Sequence, residues 1–185
     1  KKSFLNPYET WISNLNGTLS VLEGLKKLNK KGKKICTAVL ITSDKVYKNL
    51  ELDKGYKEND LIGDYDPYSA SKASAELLIQ SYVKSFFDKG NSKVRIATAR
   101  AGNVIGGGDW SENRLIPDFV KSWSKNKRLF IRNPNSTRPW QHVLEVLCGY
   151  IVLAEKLRKN SNLHGESFNF GPTSKHRYTV VKLLQ

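Results

Sequence analysis

Tyr68 and Lys72 lie four residues apart in Tyr68-Ser69-Ala70-Ser71-Lys72, directly behind the turn-forming run Gly63-Asp64-Tyr65-Asp66-Pro67. On a helix that spacing puts both side chains on one face, with Cβ atoms about 5–6 Å apart. A free phenol titrates near about pH 10. A neighbouring ammonium favours the phenolate and draws that value toward neutrality, which makes the tyrosine usable as a general base. Taken alone, the same spacing also describes an ordinary surface pair. The second polar group is Ser43-Asp44-Lys45, which ends an apolar run. A serine hydroxyl there can donate a hydrogen bond to the phenolate, provided the fold brings the two segments together.

The elements needed to do so are legible. Ile35-Cys36-Thr37-Ala38-Val39-Leu40-Ile41-Thr42 is short, apolar and rich in β-branched residues, the pattern of a parallel strand buried on both faces. It ends at Ser43, and open parallel sheets bind ligands at the carboxyl ends of their strands. Upstream, residues 7–29 carry Trp11, Ile12, Leu15, Leu19, Leu22, Leu25 and Leu28 at gaps of mostly three and four, which predicts an amphipathic helix opened by Pro7 and closed by Gly32. Downstream, a helix from Tyr68 to about Phe87 is expected to bury Leu77, Leu78, Tyr82 and Phe86 and to stop at Asp88-Lys89-Gly90-Asn91. A second apolar strand, Val94–Ala99, leads into Arg100-Ala101-Gly102-Asn103. Strand, helix and strand in this order form a crossover unit of a doubly wound parallel α/β sheet.

Beyond Asp109 the texture changes. A helix from Leu115 to about Lys125, a short strand Leu129–Arg132, the turn-rich stretch Asn133–Pro139 and a helix from Gln141 to Leu157 precede a polar loop into Phe168-Asn169-Phe170-Gly171-Pro172. This reads as part of a dinucleotide-binding domain over residues 1–109 and part of a smaller mixed α/β substrate-binding domain over 110–185, interleaved with the first.

The 185 residues suffice for one sizeable core. A net charge of +14 raises the possibility of nucleic acid, an anionic membrane or an anionic small molecule as partner. The lysines of residues 26–34 fall at a helix end, where cations complement the dipole, and no zinc-finger, helix-turn-helix or RNA-motif signature occurs. No apolar run approaches the roughly 20 residues of a membrane helix, and no export signal is visible, so a cytoplasmic setting without nucleic-acid or membrane partner is expected. Cys36 and Cys148, each in an apolar run, are expected to be buried thiols, with neither a disulfide nor a metal site.

In chain order, the Asn14 helix, the Thr42-Ser43 strand end, the Y-x-x-x-K helix and the Arg100–Asn103 loop resemble the extended branch of the short-chain dehydrogenase/reductase superfamily. Within that branch, TSDKVY (42–47), DPYSASKASAELL (66–78), RAGNVIGGGDW (100–110), RLIPD (114–118), RNPNSTRPWQHVLE (132–145) and FNFGP (168–172) resemble the CDP-glucose 4,6-dehydratase group. Such enzymes begin with a strand, a Gly-rich turn and a helix that bind the pyrophosphate of NAD. No such motif precedes Lys1, so an internal fragment is expected.

The resemblance implies NAD as cofactor and a nucleotide sugar as substrate, with oxidation at C4, loss of water across C5 and C6, and hydride return to C6. It assigns catalysis to Ser43, Asp44, Lys45, Tyr68 and Lys72, cofactor contacts to Thr42, Ser43, Tyr68, Lys72 and Ala101, and diphosphate contacts to Asn103, Arg114 and Arg138. Asp44 would be the acid at the C6 oxygen. Related dTDP-glucose enzymes place a glutamate base after that aspartate; here the position is Lys45, which can act only as a neutral amine. Asn103 and Arg138 equally suit loop and turn roles, and Trp110 and Trp140 suit either core or sugar pocket. His142 and Asn14 are expected to be structural, Asn14 by fixing backbone. The resemblance also implies a homodimer through helices 7–29 and 68–87. A nucleotide-sugar 4-epimerase, another 4,6-dehydratase and a non-enzymatic basic binding module are the competing readings.

Overall fold

The computed structural model describes residues 2–32, 34–52, 54–87, 92–173 and 178–184. The chain runs α1 (Lys2–Leu5), α2 (Pro7–Trp11), a π-helical segment (Ile12–Asn16), α3 (Gly17–Lys31), β1 (Cys36–Ile41), a 3₁₀ turn (Asp44–Val46), α4 (Pro67–Phe86) and β2 (Val94–Ala101). It continues with β3 (Val104–Ile105), α5 (Leu115–Trp123), β4 (Thr137–Arg138), β5 (Gln141–His142), α6 (Val143–Lys159), a 3₁₀ turn (Ser161–Leu163), β6 (Ser167–Phe170), β7 (Tyr178–Thr179) and α7 (Val180–Leu184). Two compact units result: Lys1–Ala101 with Cys148–Phe170, and Gly102–Leu147 with Gly171–Gln185.

The first unit is a three-stranded parallel sheet in the order β1-β2-β6, within the expected α/β class. Its register pairs Cys36 with Val94, Ile41 with Ala99, and Ala101 with Phe170, so the three carboxyl ends lie along one edge. Successive residues of β2 alternate between faces, as the pleat requires. Val94 and Ile96 pack with Leu22, Ile79, Val83 and Phe87. Ala97 and Ala99 pack with Leu153 and Leu157 on the opposite face. Tyr150 and Phe170 meet edge to face at 5.2 Å, and a Cβ on Gly149 would stand 2.6 Å from the Phe170 ring, so that helix approaches β6 only because the position is glycine. Buried His164 joins this layer to α4: its Nδ1 accepts from the Ile96 N–H at 2.9 Å and its Nε2 donates to the Phe87 carbonyl at 3.0 Å.

Several expectations need correcting. Residues 7–29 do not form one regular helix, because Ile12–Asn16 widens into a π-helical turn, and Gly32 ends the helical stretch as expected. The buried face of α4 is Ser69, Ser71, Ala73, Ala75, Glu76, Ile79 and Val83. Leu78 and Tyr82 pack beside the core, whereas Leu77 and Phe86 are 55% and 45% exposed. Small side chains on the first turns of this face lie close to the sheet, and Ile79 and Val83 fill the core farther along the helix. The expected stop at Asp88–Asn91 lies outside the described residues. Ser167–Phe170, expected as the end of a loop, is the third strand; four alternating half-buried residues are too few for a periodic signal. Cys148 is exposed and Cys36 half-buried, both as free thiols.

In the second unit β3 pairs parallel with β5, and β4 antiparallel with β7. The helix α5 ends at Trp123 rather than Lys125. Leu129–Arg132 is not a strand: no partner strand lies beside it among the described residues, and Phe130 is 86% exposed. The helix expected from Gln141 begins at Val143, because Gln141 and His142 are held by β3.

Candidate active site

Two candidate groups lie at the carboxyl edge of the sheet in the first unit. At the end of β1 the Thr42 N–H bonds the Ala99 carbonyl at 2.9 Å, so the chain follows β2 for one residue beyond the strand. Buried Ser43 then caps the 3₁₀ turn, its Oγ accepting from the Lys45 N–H at 3.2 Å and donating to Asp44 Oδ1 at 3.1 Å. The serine proton is thus directed at Asp44 rather than at a phenol. Lys45 Nζ stands 4.0 Å from Asp44 Oδ2, and its side chain is 51% exposed.

The second group opens α4. Asp66 accepts from the N–H groups of Tyr68 and Ser69 at 3.0 and 3.2 Å, and Pro67 takes the first helical position, where its missing N–H costs nothing. Tyr68 and Lys72 share one face of the helix. Tyr68 is 38% exposed, and neither its hydroxyl nor the Lys72 ammonium has a protein partner among the described residues. Val46, Tyr47 and Ala73 form a buried cluster, which seats the second turn of α4 against the residues that follow Ser43-Asp44-Lys45. Asn14 also acts here: its Nδ2 donates to the Ser71 hydroxyl at 2.9 Å, and that hydroxyl donates to the Tyr68 carbonyl at 2.8 Å. Asn14 therefore binds a side chain of α4 rather than backbone.

A buried ion pair was missed in the sequence. Arg100, at the end of β2, donates from Nε to both Glu76 oxygens at 2.9 and 3.0 Å and from Nη2 to Glu76 Oε2. Its Nη1 reaches the Tyr47 hydroxyl at 2.7 Å and the Glu58 carbonyl at 2.8 Å. The Tyr47 hydroxyl donates onward to Asn169 Oδ1 at 2.7 Å, and Thr42 Oγ1 donates to Glu76 Oε1 at 2.5 Å. Burial pulls against the Arg100 charge, but the Glu76 hydrogen bonds and charge hold its affinity for the proton above the ordinary arginine value. Burial also raises Tyr47 above the usual phenol value, against the pull of Arg100. The signal available in the sequence was an arginine directly after an apolar run and a glutamate four residues past Lys72.

Burial holds Lys72 below the usual lysine range. Between that lowered value and the ordinary one, the unfolded chain binds more protons than the folded chain, so stability rises with pH across this window. Below it both states are protonated and the burial penalty is borne in full. Unfolding curves from neutral to alkaline pH should therefore show the native protein gaining stability relative to Lys72→Met. Parallel pH dependences of the two proteins would contradict the assignment.

The remaining candidates belong to the second unit. The Asn103 carbonyl accepts from the Gln141 N–H at 3.0 Å, and a Cβ on Gly102 would stand 2.5 Å from Pro139 Cγ. The 102–103 loop and the 138–141 segment are thus in contact, which places Asn103 near Arg138. Arg138 is exposed and donates to the Thr137 carbonyl at 2.9 Å. Arg114 is exposed and lies 3.8 Å from Asp109 Oδ2, a separate loose pair. Hydrogen bonds from Ser111 lower the Asp109 carboxyl below its usual range. Trp110 is exposed, Trp140 is half-buried with its indole N–H unpartnered among the described residues, and His142 is exposed, its Nδ1 accepting from the Leu144 N–H at 3.2 Å.

The sequence pattern of the NAD dependent epimerase/dehydratase family matches residues 1–171. CDP-glucose 4,6-dehydratase of Salmonella typhimurium is 48% identical over 181 residues, covering 96% of this chain and 49% of that protein. The dTDP-D-glucose 4,6-dehydratase of Dictyostelium discoideum is 30% identical over 165 residues, covering 83% of this chain and 35% of that protein. The chain thus spans half or less of the length of these relatives. Among solved structures, dTDP-glucose 4,6-dehydratase of Bacillus anthracis in complex with NAD superposes with a TM-score of 0.76 at 26% identity, covering 94% of this chain and 50% of that one.

Proposed function

Because the chain belongs to the NAD dependent epimerase/dehydratase family, we propose that it carries the proton-handling residues of a nucleotide-sugar 4,6-dehydratase, with CDP-glucose as substrate and NAD as cofactor. The observation behind this reading is the seating of the Tyr68/Lys72 helix against the Ser43-Asp44-Lys45 strand end, in a chain 48% identical to the Salmonella enzyme. Residues 1–109 would mainly serve the cofactor and residues 110–185 mainly the sugar nucleotide, the two parts interleaved, in a cytoplasmic homodimer built through helices 7–29 and 68–87. The exposed Leu77 on α4 supports that pairing.

The residues fit a dinucleotide. Thr42, Ser43 and Ala101 end two adjacent parallel strands, the edge at which open sheets bind nucleotides. Tyr68 and Lys72 offer a hydroxyl and an ammonium not engaged by protein, and Lys72 would hold a ribose hydroxyl. When bound, NAD accepts hydride from C4 of the sugar and returns it to C6. Tyr68 as phenolate takes the proton of the 4-hydroxyl, and the Lys72 cation favours that phenolate. Ser43, whose hydroxyl donates to Asp44 in the structure, would have to turn that hydroxyl toward Tyr68 to stabilise the phenolate. The 4-ketone acidifies the C5 proton, which Lys45 would remove as a neutral amine and, as the ammonium, give back to C5 when hydride adds at C6, while Asp44 as the acid would deliver a proton to the C6 oxygen leaving as water. Lys45 is half-exposed within its own unit, so its shielding must come from the bound sugar. Asn103, Arg138 and Arg114 would take the diphosphate through charge-assisted hydrogen bonds.

In a 4-epimerase, Asp44 and Lys45 would have no task at C5 and C6. A basic nucleic-acid module would bind DNA with affinity falling steeply in salt. The test is incubation of the protein in its full encoded length with CDP-glucose and NAD, with mass spectrometry for loss of water from the sugar. Absence of product, or salt-sensitive DNA binding in its place, overturns the reading. Lys45→Met should lower product formation by about 10²–10⁴-fold while C4 oxidation persists, seen as the absorbance of reduced cofactor. Unchanged turnover would remove Lys45 from the scheme.

A further inference from the structure

Resting on the dehydratase reading, we propose that Glu76 is a positioning residue: its carboxylate ties the helix of Tyr68 and Lys72 to the strand end that carries Ser43-Asp44-Lys45. Tyr68, Lys72 and Glu76 follow one another at four-residue steps, so all three lie along one stripe of α4. The first two reach the edge where chemistry would occur; the third points into the fold and is fully buried.

Arg100 donates to both Glu76 oxygens, which act as acceptors. The Thr42 hydroxyl, 2.5 Å from Oε1, must therefore donate to it. Thr42 immediately precedes Ser43, so this hydrogen bond adds to the Thr42 N–H bond to Ala99 in holding the backbone from which the serine, the acid and the lysine project. Arg100 extends the tie to the Tyr47 hydroxyl and the Glu58 carbonyl, and Tyr47 extends it to Asn169 of β6. Four elements at one edge of the sheet are thus indexed to one carboxylate that touches none of the reacting groups. Misplacement by about 1 Å between catalytic groups costs on the order of 10²-fold in rate.

The test separates positioning from simple stability. Glu76→Asp keeps a negative charge beside Arg100 but shortens the reach to Thr42. Thr42→Val removes the same bond from its other end without unpairing a buried charge, and Thr42→Ser restores the hydroxyl. For the folded full-length protein with CDP-glucose and NAD, Glu76→Asp and Thr42→Val are each expected to lower kcat about tenfold to hundredfold with KM for CDP-glucose little changed. Each should also move the acid limb of the kcat/KM profile to higher pH, because the backbone that carries Ser43 shifts and the phenolate loses the hydroxyl it would take up once that hydroxyl turns from Asp44. Thr42→Ser should return both, and the double variant should be no worse than either single one. A merely destabilised protein would lose active fraction without moving the limb. An active wild type with the limb unmoved in both variants, or with additive losses in the double variant, overturns this inference alone. A wild type without dehydratase activity overturns the functional reading, and this inference with it.

Discussion

Tyr68→Phe is expected to fold normally, to bind CDP-glucose as the native protein does, and to lose turnover by about 10²–10⁴-fold, the range of a general base. The phenol oxygen has no protein partner among the described residues and the side chain is 38% exposed, so its removal leaves no buried donor or acceptor unpaired. Stability should stay within about 0.5 kcal/mol of the native value, as for surface substitutions away from special features. The loss would thus fall on kcat and kcat/KM together, the signature of an interaction made in the transition state. Turnover within threefold of native, measured alongside an unchanged unfolding midpoint, would remove the phenol from the mechanism.

Arg100→Met is expected to cost about 3–5 kcal/mol of stability, the usual penalty for removing one partner of a buried ion pair. The substitution strands the Glu76 carboxylate in the interior and deprives the Tyr47 hydroxyl and the Glu58 carbonyl of their donor. Against a typical total of about 5–15 kcal/mol this is about a fifth or more of what holds a domain together. The exposed pairs Lys159–Glu155 and Lys2–Glu9 contribute little by comparison, because water screens them and long side chains lose freedom on pairing. The double variant Glu76→Met/Arg100→Met should recover part of the loss, since two apolar side chains of similar volume leave no uncompensated charge. Denaturant midpoints for the two single variants and the double variant measure the coupling directly. A loss below about 1 kcal/mol for Arg100→Met, or strict additivity in the double variant, would contradict this account.

What could be read without coordinates was whatever depends on neighbours in sequence. Asp66 and Pro67 announce a helix start because capping and a fixed φ are local chemistry. The four-residue step from Tyr68 to Lys72 fixes a shared face through the helical repeat alone. The apolar runs ending at Ile41 and near Ala99 are long enough to be read as strands buried on both faces. Tertiary structure decided the rest, through contacts between residues far apart in the chain. Glu76 and Arg100 are 24 positions apart, Asn14 and Ser71 are 57 apart, and Tyr47 and Asn169 are 122 apart. No local pattern marks Glu76 as buried, since a glutamate enters a core only where an arginine arrives from another element to pair with it. Likewise, β6 is a strand because β2 offers it a free edge, and Leu77 faces outward because Ile79 and Val83 are the residues of α4 that fill the core.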